Sequence, residues 1–374
     1  MGDSSTNAAY VEAVPLEIKI LASLRRLGRG EAWDTITELC NDLCCAETLR
    51  SFFTKFTRTM IHVFGDEWIH PPRTQEEIES VVHESTRRGY PGCLGFMDGV
   101  HVQWDMCPTL WRHLSIGKDA TPSIGWQCTV NHKRRFVSVG KAHLGSVNDK
   151  TACRYDDFVK ELRQQPMYNS AQYKLFRDDG TTTVETGLWL SVDGGYISMP
   201  ELLVGDPSSL DHYMNFWNHF MESERKHVEC AFGILKARFR ILKLPIHMHD
   251  FDEIDDMFHT CCILHNMCLE FDGHDDDWNL GDSLTNGHYG PEGLHFGDFV
   301  PGDDGLFSDD EHHEFYSCEG MYYDITPDID YTIQYNMYFN PGSMIDKRYF
   351  LSKRDKIAKN WYYMYKKHML SLKK

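Results

Sequence analysis

"CLGFMDGVHVQW", residues 93–104, decides how this chain is read. Its β-branched and aromatic residues, bounded by turn residues, read as a strand. Asp98 stands midway along it, followed by Gly99. A carboxylate among apolar neighbours is poorly solvated unless a cation or a donor meets it. A glycine directly after it lets the backbone turn and lets a ligand approach. The pattern returns downstream in "GLWLSVDGGYI", residues 187–197, where Asp193 precedes Gly194 and Gly195. If the two strands are neighbours in one sheet, both carboxylates face a common point. The structural alternative is that each Asp-Gly is a hairpin turn.

Around these two strands the pattern is mixed. "SIGWQCTVNH" and "RRFVSVGKAHLGS" read as two more strands, joined by a turn from Asn131 to Arg135. "DKTACRYDDFVKELRQQ" reads as one helix with Cys153, Phe158 and Leu162 inward. The stretch from Asn215 to Lys243 reads as a helix, and "FDEIDDMFHTCCILHNMCLEF" as a long buried one. Residues 93–270 are therefore expected to form a mixed α/β domain. Residues 67–92 read as a connector with one short helix, "TQEEIESVVHEST". Residues 1–66 read as helices. In "CAETLRSFFTKFTRTMIHVFG" the apolar positions leave Arg50, Lys55 and Arg58 for solvent. That region is either helix-turn-helix-like and DNA-binding, or an ordinary bundle packed on the next domain.

The 374-residue chain carries a formal charge of −18, which by itself argues against nucleic acid. Its distribution reverses the argument. Residues 271–330 hold 17 Asp or Glu and no Lys or Arg, and outside them 39 acidic residues face 38 basic ones. The acidic stretch lacks a clear period and reads as a mobile linker. It is followed, over residues 331–374, by a basic C-terminal helix, with ten Lys or Arg and one Asp in residues 347–374. With no run of about 18 apolar residues, no membrane partner is expected. The N-terminus has no basic and apolar leader pattern, and the twelve cysteines lack framework spacing, so reduced thiols are expected.

In "ESERKHVECAFGILKARFRIL", residues 222–242, Val228, Ala231, Phe232, Leu235 and Phe239 make an apolar stripe. Beside it Arg225, Glu229, Lys236 and Arg240 make a charged one. The bland reading is an Arg225–Glu229 pair worth a few tenths of a kcal/mol. The sharper one is a carboxylate that holds metal while its neighbours hold phosphate. Asp98, Asp193 and Glu229, with no catalytic Ser, Cys or His beside them, suggest two divalent ions, Mg²⁺ or Mn²⁺. Such a pair suits phosphodiester chemistry, with one ion activating water or a 3′-hydroxyl and the other stabilising the leaving oxygen.

Taken together, "RRGYPGCLGFMDGVHVQWDMCP", "GSVNDK", "LSVDGGYI", "ERKHVECAFGILKARFRIL" and "CCILHN" resemble, in that order, PIF/Harbinger-type transposases of the plant-transposon-protein branch. These are DDE endonucleases. The resemblance implies a ribonuclease-H-like mixed sheet flanked by helices, preceded by the small helical region. It implies catalytic, metal-binding roles for Asp98, Asp193 and Glu229, with Asp149 as an alternative or supporting carboxylate. It implies DNA contacts from the Arg225–Glu229–Lys236 helix, to which Arg238 and Arg240 add charge. The chain has Glu222 where a related bacterial signature has Tyr, three residues before the Arg. The implied function is a metal-dependent endonuclease and transposase. Water cuts double-stranded DNA at transposon terminal repeats, and the freed 3′-hydroxyl joins an AT-rich target. The alternative is a domesticated, non-catalytic DNA-binding or adaptor protein. The resemblance also implies a separately encoded Myb/SANT-like partner and a nuclear site, cytoplasmic until that partner imports the chain. A homo-oligomer is expected.

Overall fold

The computed structural model describes residues 14–40, 44–118, 120–177, 179–273 and 344–367. The expected acidic linker, from residue 274 on, lies outside the described residues, as do the first thirteen residues. No helix among the described residues is long and apolar enough to cross a membrane.

The centre is a six-stranded mixed sheet. Strand β1 (Cys93–Gln103) runs antiparallel to β2 (Ser123–Val130). On its other side β1 runs parallel to β7 (Trp189–Ser191), and β7 runs parallel to β8 (Leu202–Leu203). β2 also pairs with β3 (Phe136–Val139) and β4 (His143–Leu144), giving the order β3-β2-β1-β7-β8 with β4 beside β2. The turn at Asn131–Arg135 closes as expected: Asn131 N–H donates to Arg135 O at 3.1 Å, and Arg134 takes a positive φ of 63°. The single strand expected over "RRFVSVGKAHLGS" is two, both antiparallel to β2, with the pairing interrupted and shifted by one residue between Val139 and His143.

Helices cover both faces. N-terminal α1 (Leu16–Arg29), α2 (Trp33–Leu39) and α3 (Ala46–Trp68) precede α4 (Gln75–Arg87), which opens on a capping box from Thr74 and Glu77. After the short α5 (Arg112–Ser115), the helix expected over 149–165 is two: α6 (Asp149–Tyr155) and α7 (Asp157–Gln164). The break is Asp156, which leaves the helical region and caps α7 by accepting from Val159 N–H at 3.0 Å. Cys153, Phe158 and Leu162 point inward as expected. A hairpin not expected from the sequence follows the short α8 (Pro166–Asn169): β5 (Gln172–Phe176) pairs with β6 (Thr182–Thr186). The long helices α9 (His212–Arg238), α10 (Phe251–Phe271) and α11 (Met344–Lys366) complete the fold.

Two apolar clusters sit on the two sides of β1. One joins Leu94 and Met97 to Trp189, Leu190, Trp217 and Trp361. The other joins Phe96, Val100 and Val102 to Val228, Phe232, Leu235 and Phe258. Leu27 of α1 and Phe53 of α3 belong to the second cluster. Thr54 Oγ1 and Arg58 of α3 reach Glu253 and Asp256 of α10 at 3.0 and 3.3 Å. The N-terminal helices thus pack on the sheet domain. Helix α11 buries Phe350, Ile357 and Trp361 in the first cluster. Helix α9 ends at Arg238, where Phe239 (φ −112°, ψ 86°) breaks it into a 3-10 turn at Arg240–Leu242. Arg240 therefore does not continue the Arg225–Glu229–Lys236 stripe, which corrects the expected single helix to Lys243.

Candidate functional site

The register of the two parallel strands builds the site. Phe96 of β1 lies opposite Ser191 of β7. Two residues further on, the chains present Asp98 and Asp193 side by side. Asp98 is within its strand, and Asp193 is just past the end of β7. Each carboxylate is held by a following backbone amide. Gly99 N–H donates to Asp98 Oδ1 at 2.8 Å, and Gly195 N–H donates to Asp193 Oδ1 at 2.7 Å.

Asp149 joins them at the first turn of α6, whose Asn148 cap accepts from Thr151 N–H at 2.9 Å. The glycines show how close it comes. A Cβ at Gly99 would lie 3.1 Å from Asp149 Oδ1. A Cβ at Gly195 would lie 2.9 Å from Asp193 Oδ1 and 3.3 Å from Asp149 Oδ2. A side chain at Gly99 or at Gly195 would therefore crowd these carboxylates, whereas one at Gly194, directly after Asp193, would meet nothing. Gln127 of β2 donates to Asp149 Oδ1 at 3.4 Å and accepts from the buried Tyr196 hydroxyl at 2.6 Å. Lys118 Nζ lies 4.0 Å from Asp149 Oδ2.

The fourth carboxylate comes from α9, and Arg225 ties it in. The Arg225 guanidinium reaches Asp98 Oδ2 at 3.3 Å, Glu229 Oε1 at 2.8 Å and Glu222 Oε1 at 2.7 Å. Burial works against its charge. The hydrogen bond and charge of Glu222, then the charges of Glu229 and Asp98, outweigh burial and raise its pKa. Asp98 responds the other way. Burial pushes its carboxyl up to about 6 despite Gly99 N–H and Arg225, and the charges of Asp193 and Glu229 add to the rise. The Tyr196 phenol is raised by burial and by Asp98, Asp149 and Asp193 together.

Asp98, Asp149, Asp193 and Glu229 are all oxygen donors, the type a hard dication takes. Among the described residues, no three His, Cys, Asp or Glu side chains stand close enough to hold an ion as they are. The donor types fit a divalent ion; the arrangement requires Arg225 to release Asp98 and Glu229 first.

The cations expected to meet DNA are spread out. Lys236 Nζ donates to His101 O at 2.9 Å. Arg238 donates to His265 O at 3.2 Å and to Asp272 at 3.4 Å. Arg240 is exposed. On α3, Arg50 lies 3.6 Å from Glu47, Arg58 lies 3.3 Å from Asp256, and Lys55 is exposed. Glu222, Gln127, Tyr196 and Lys118 were not singled out by sequence as members of the site. Only Glu222, three residues before Arg225 and so on the same helix face, carried a readable signal.

Residues 67–276 match the protein family described as Plant transposon protein. Protein ALP1-like of Arabidopsis thaliana is 25% identical over 264 residues, covering 69% of this chain and 61% of that protein. Protein Antagonist of Like Heterochromatin Protein 1, from the same plant, is 25% identical over 202 residues, covering 52% of this chain and 48% of that protein. The chain thus spans about three fifths and about half the length of these two relatives. No solved structure matches. The family match covers more than half of the chain and contains all four carboxylates and Arg225, so the chain belongs to the Plant transposon protein family, derived from Harbinger-type transposases.

Proposed function

We propose that this chain is a transposase-derived DNA-binding or adaptor protein that keeps the frame of a DDE nuclease without cutting DNA. The observation that carries this is Arg225. Its guanidinium pairs with both Asp98 and Glu229, two of the carboxylates that would hold a dication, and also with Glu222. A guanidinium stays protonated at any physiological pH, so part of the negative charge of the site is offset from within. The name of one relative, an antagonist of a heterochromatin protein, supports a role on chromatin. On this reading the frame is ribonuclease-H-like. Support comes from the antiparallel β1–β2–β3 meander extended by two parallel strands, with carboxylates on the first strand and at the end of its parallel neighbour. A Myb/SANT-like partner would share DNA binding and nuclear entry.

A second reading, the metal-dependent endonuclease and transposase, is favoured by one specific observation. Four carboxylates gather at one edge of β1 and β7, and Asp98 is pushed up to about 6. That crowding is what a bound dication relieves. In that state Asp98, Asp193 and Glu229, with Asp149, would hold Mg²⁺ or Mn²⁺, which would supply an activated water and charge stabilisation on the phosphate. Arg225, once released, would turn to the phosphate.

The deciding experiment is nicking of supercoiled plasmid in Mg²⁺ or Mn²⁺, read beside binding to the same DNA. Wild type should bind, with affinity falling steeply with salt, and should not nick. Metal-dependent nicking that disappears in Asp98→Asn and Glu229→Gln would establish the endonuclease instead.

A further inference from the structure

The segment after β1, residues 106–118, exposes several apolar side chains and reaches Asp149 through Lys118. Leu110 is 83% exposed and Leu114 56%, while Trp111, Ile116 and Met106 are each more than a third exposed. A monomeric surface rarely gathers such side chains without a use. The segment is held firmly. Trp111 packs on buried Trp104 at 6.0 Å and on Phe251 at 5.8 Å between ring centroids. Ser146 donates to Leu114 O from both its amide, at 3.2 Å, and its hydroxyl, at 2.6 Å. Gly117 lies so close to Gly145 O that a side chain there would not fit. The apolar residues are therefore presented by a fixed backbone, three residues from Asp149 in the chain that anchors them.

Charge says what the surface fits. Residues 106–118 contain Arg112, His113 and Lys118, and the acidic residues of this stretch, Asp105 and Asp119, stand at its two ends. Arg112 and His113 are exposed, and Lys118 reaches toward Asp149 Oδ2 at 4.0 Å. Apolar and aromatic side chains interleaved with cations suit a ligand with flat apolar faces on an anionic backbone. Unpaired nucleobases have both. A fully paired duplex hides the base faces, and apolar side chains reach them only where a base step is opened.

We propose that residues 106–118 form a stacking platform for unpaired bases of DNA lying across the carboxylate edge. This rests on the DNA-binding reading above and adds the DNA structure it prefers. The platform takes the splayed bases while Arg112 and Lys118 take the adjoining phosphates.

The test is fluorescence anisotropy of the full chain with a blunt duplex and with the same duplex carrying an unpaired bulge. The bulged DNA should bind about tenfold more tightly, the scale of one stacked base. The double variant Leu110→Ser, Leu114→Ser, at exposed positions that do not support the fold, should lose that preference and keep its affinity for the blunt duplex. Arg112→Gln with Lys118→Gln should weaken both DNAs alike. Equal affinity of wild type for the two DNAs overturns the platform and leaves DNA binding standing. A preference that survives the leucine changes also overturns it. Binding to neither DNA overturns both readings. Loss of binding to a protein partner on leucine substitution, with DNA binding unchanged, makes the surface a protein-docking face and overturns the platform.

Discussion

Helix α11 and the Arg225 turn of α9 both set cations against acceptors, and they do so in opposite ways. In α11 Lys353, Arg354 and Lys356 each meet an acceptor of their own. Lys353 donates to Gly187 O at 2.6 Å, Arg354 meets Asp206 at 2.7 Å, and Lys356 meets Glu185 at 2.6 Å. In α9 a single cation, Arg225, answers three carboxylates, with Asp149 and Asp193 crowded nearby. One-to-one pairing fixes a helix to its neighbours. Burial that one guanidinium does not offset leaves the Asp98 carboxyl raised, and a raised carboxyl among other carboxylates marks a place adapted to something beyond folding. The same residue types thus mean structure in one helix and site in the other.

The sharpest way to break this comparison is at Trp361, fully buried in α11. Trp361→Ala should lower stability by about 3–5 kcal/mol in urea denaturation. A loss below about 1 kcal/mol would mean that α11 is an appendage, and its cations would be free for other roles.

At Asp98 the comparison has a sign. A folded pKa of about 6, above the unfolded value, means that folding binds extra protons between about pH 4 and 6. This group therefore adds stability below about pH 4, and that contribution is lost as pH rises through 6. Asp98→Asn should gain about 2 kcal/mol at pH 7, and the gain should vanish near pH 4. A variant less stable than wild type at pH 7 would show that the carboxylate is fully compensated by Arg225.

Lys353 tests the other helix. Burial lowers its pKa to about 8, with Glu201 and Glu185 opposing. Charging it costs folding energy below pH 8, so wild type should gain stability as pH rises from 8 to 10. Lys353→Met should flatten that slope, read as denaturation midpoint against pH.

The smallest effect is expected on α3. Replacing Arg50, Lys55 and Arg58 by Gln should change stability by under about 1 kcal/mol, because all three side chains are exposed and the pairs of Arg50 with Glu47 and Arg58 with Asp256 are screened by water. If that face meets DNA, the same change should reduce the salt dependence of binding by up to three phosphate contacts.

What was legible in the sequence follows from period and from partners close in the chain. Strand β1 and helix α10 were readable because their apolar residues repeat cleanly, and α10 runs over the expected Phe251–Phe271. The β5–β6 hairpin was not, because "TTTVET" is polar and threonine-rich and its strand is half-exposed. The break at Asp156 was hidden inside a continuous apolar period. Asp98 and Asp193 were visible as Asp-Gly steps. Asp149 has no Asp-Gly step to mark it, and its approach to Gly99 and Gly195 is a tertiary contact that the sequence pattern does not carry. Gln127 and Tyr196 had no local signal at all, since their contact spans 69 residues.

The account rests on Arg225 holding the place of a cation, and a Mn²⁺ titration by paramagnetic resonance tests that most directly. Wild type should bind weakly, and Arg225→Gln, which leaves Asp98 and Glu229 unpaired, should bind at least about tenfold more tightly, the effect of about one charge-assisted contact. Equal or weaker binding by the variant would contradict the account and return Arg225 to a structural pair.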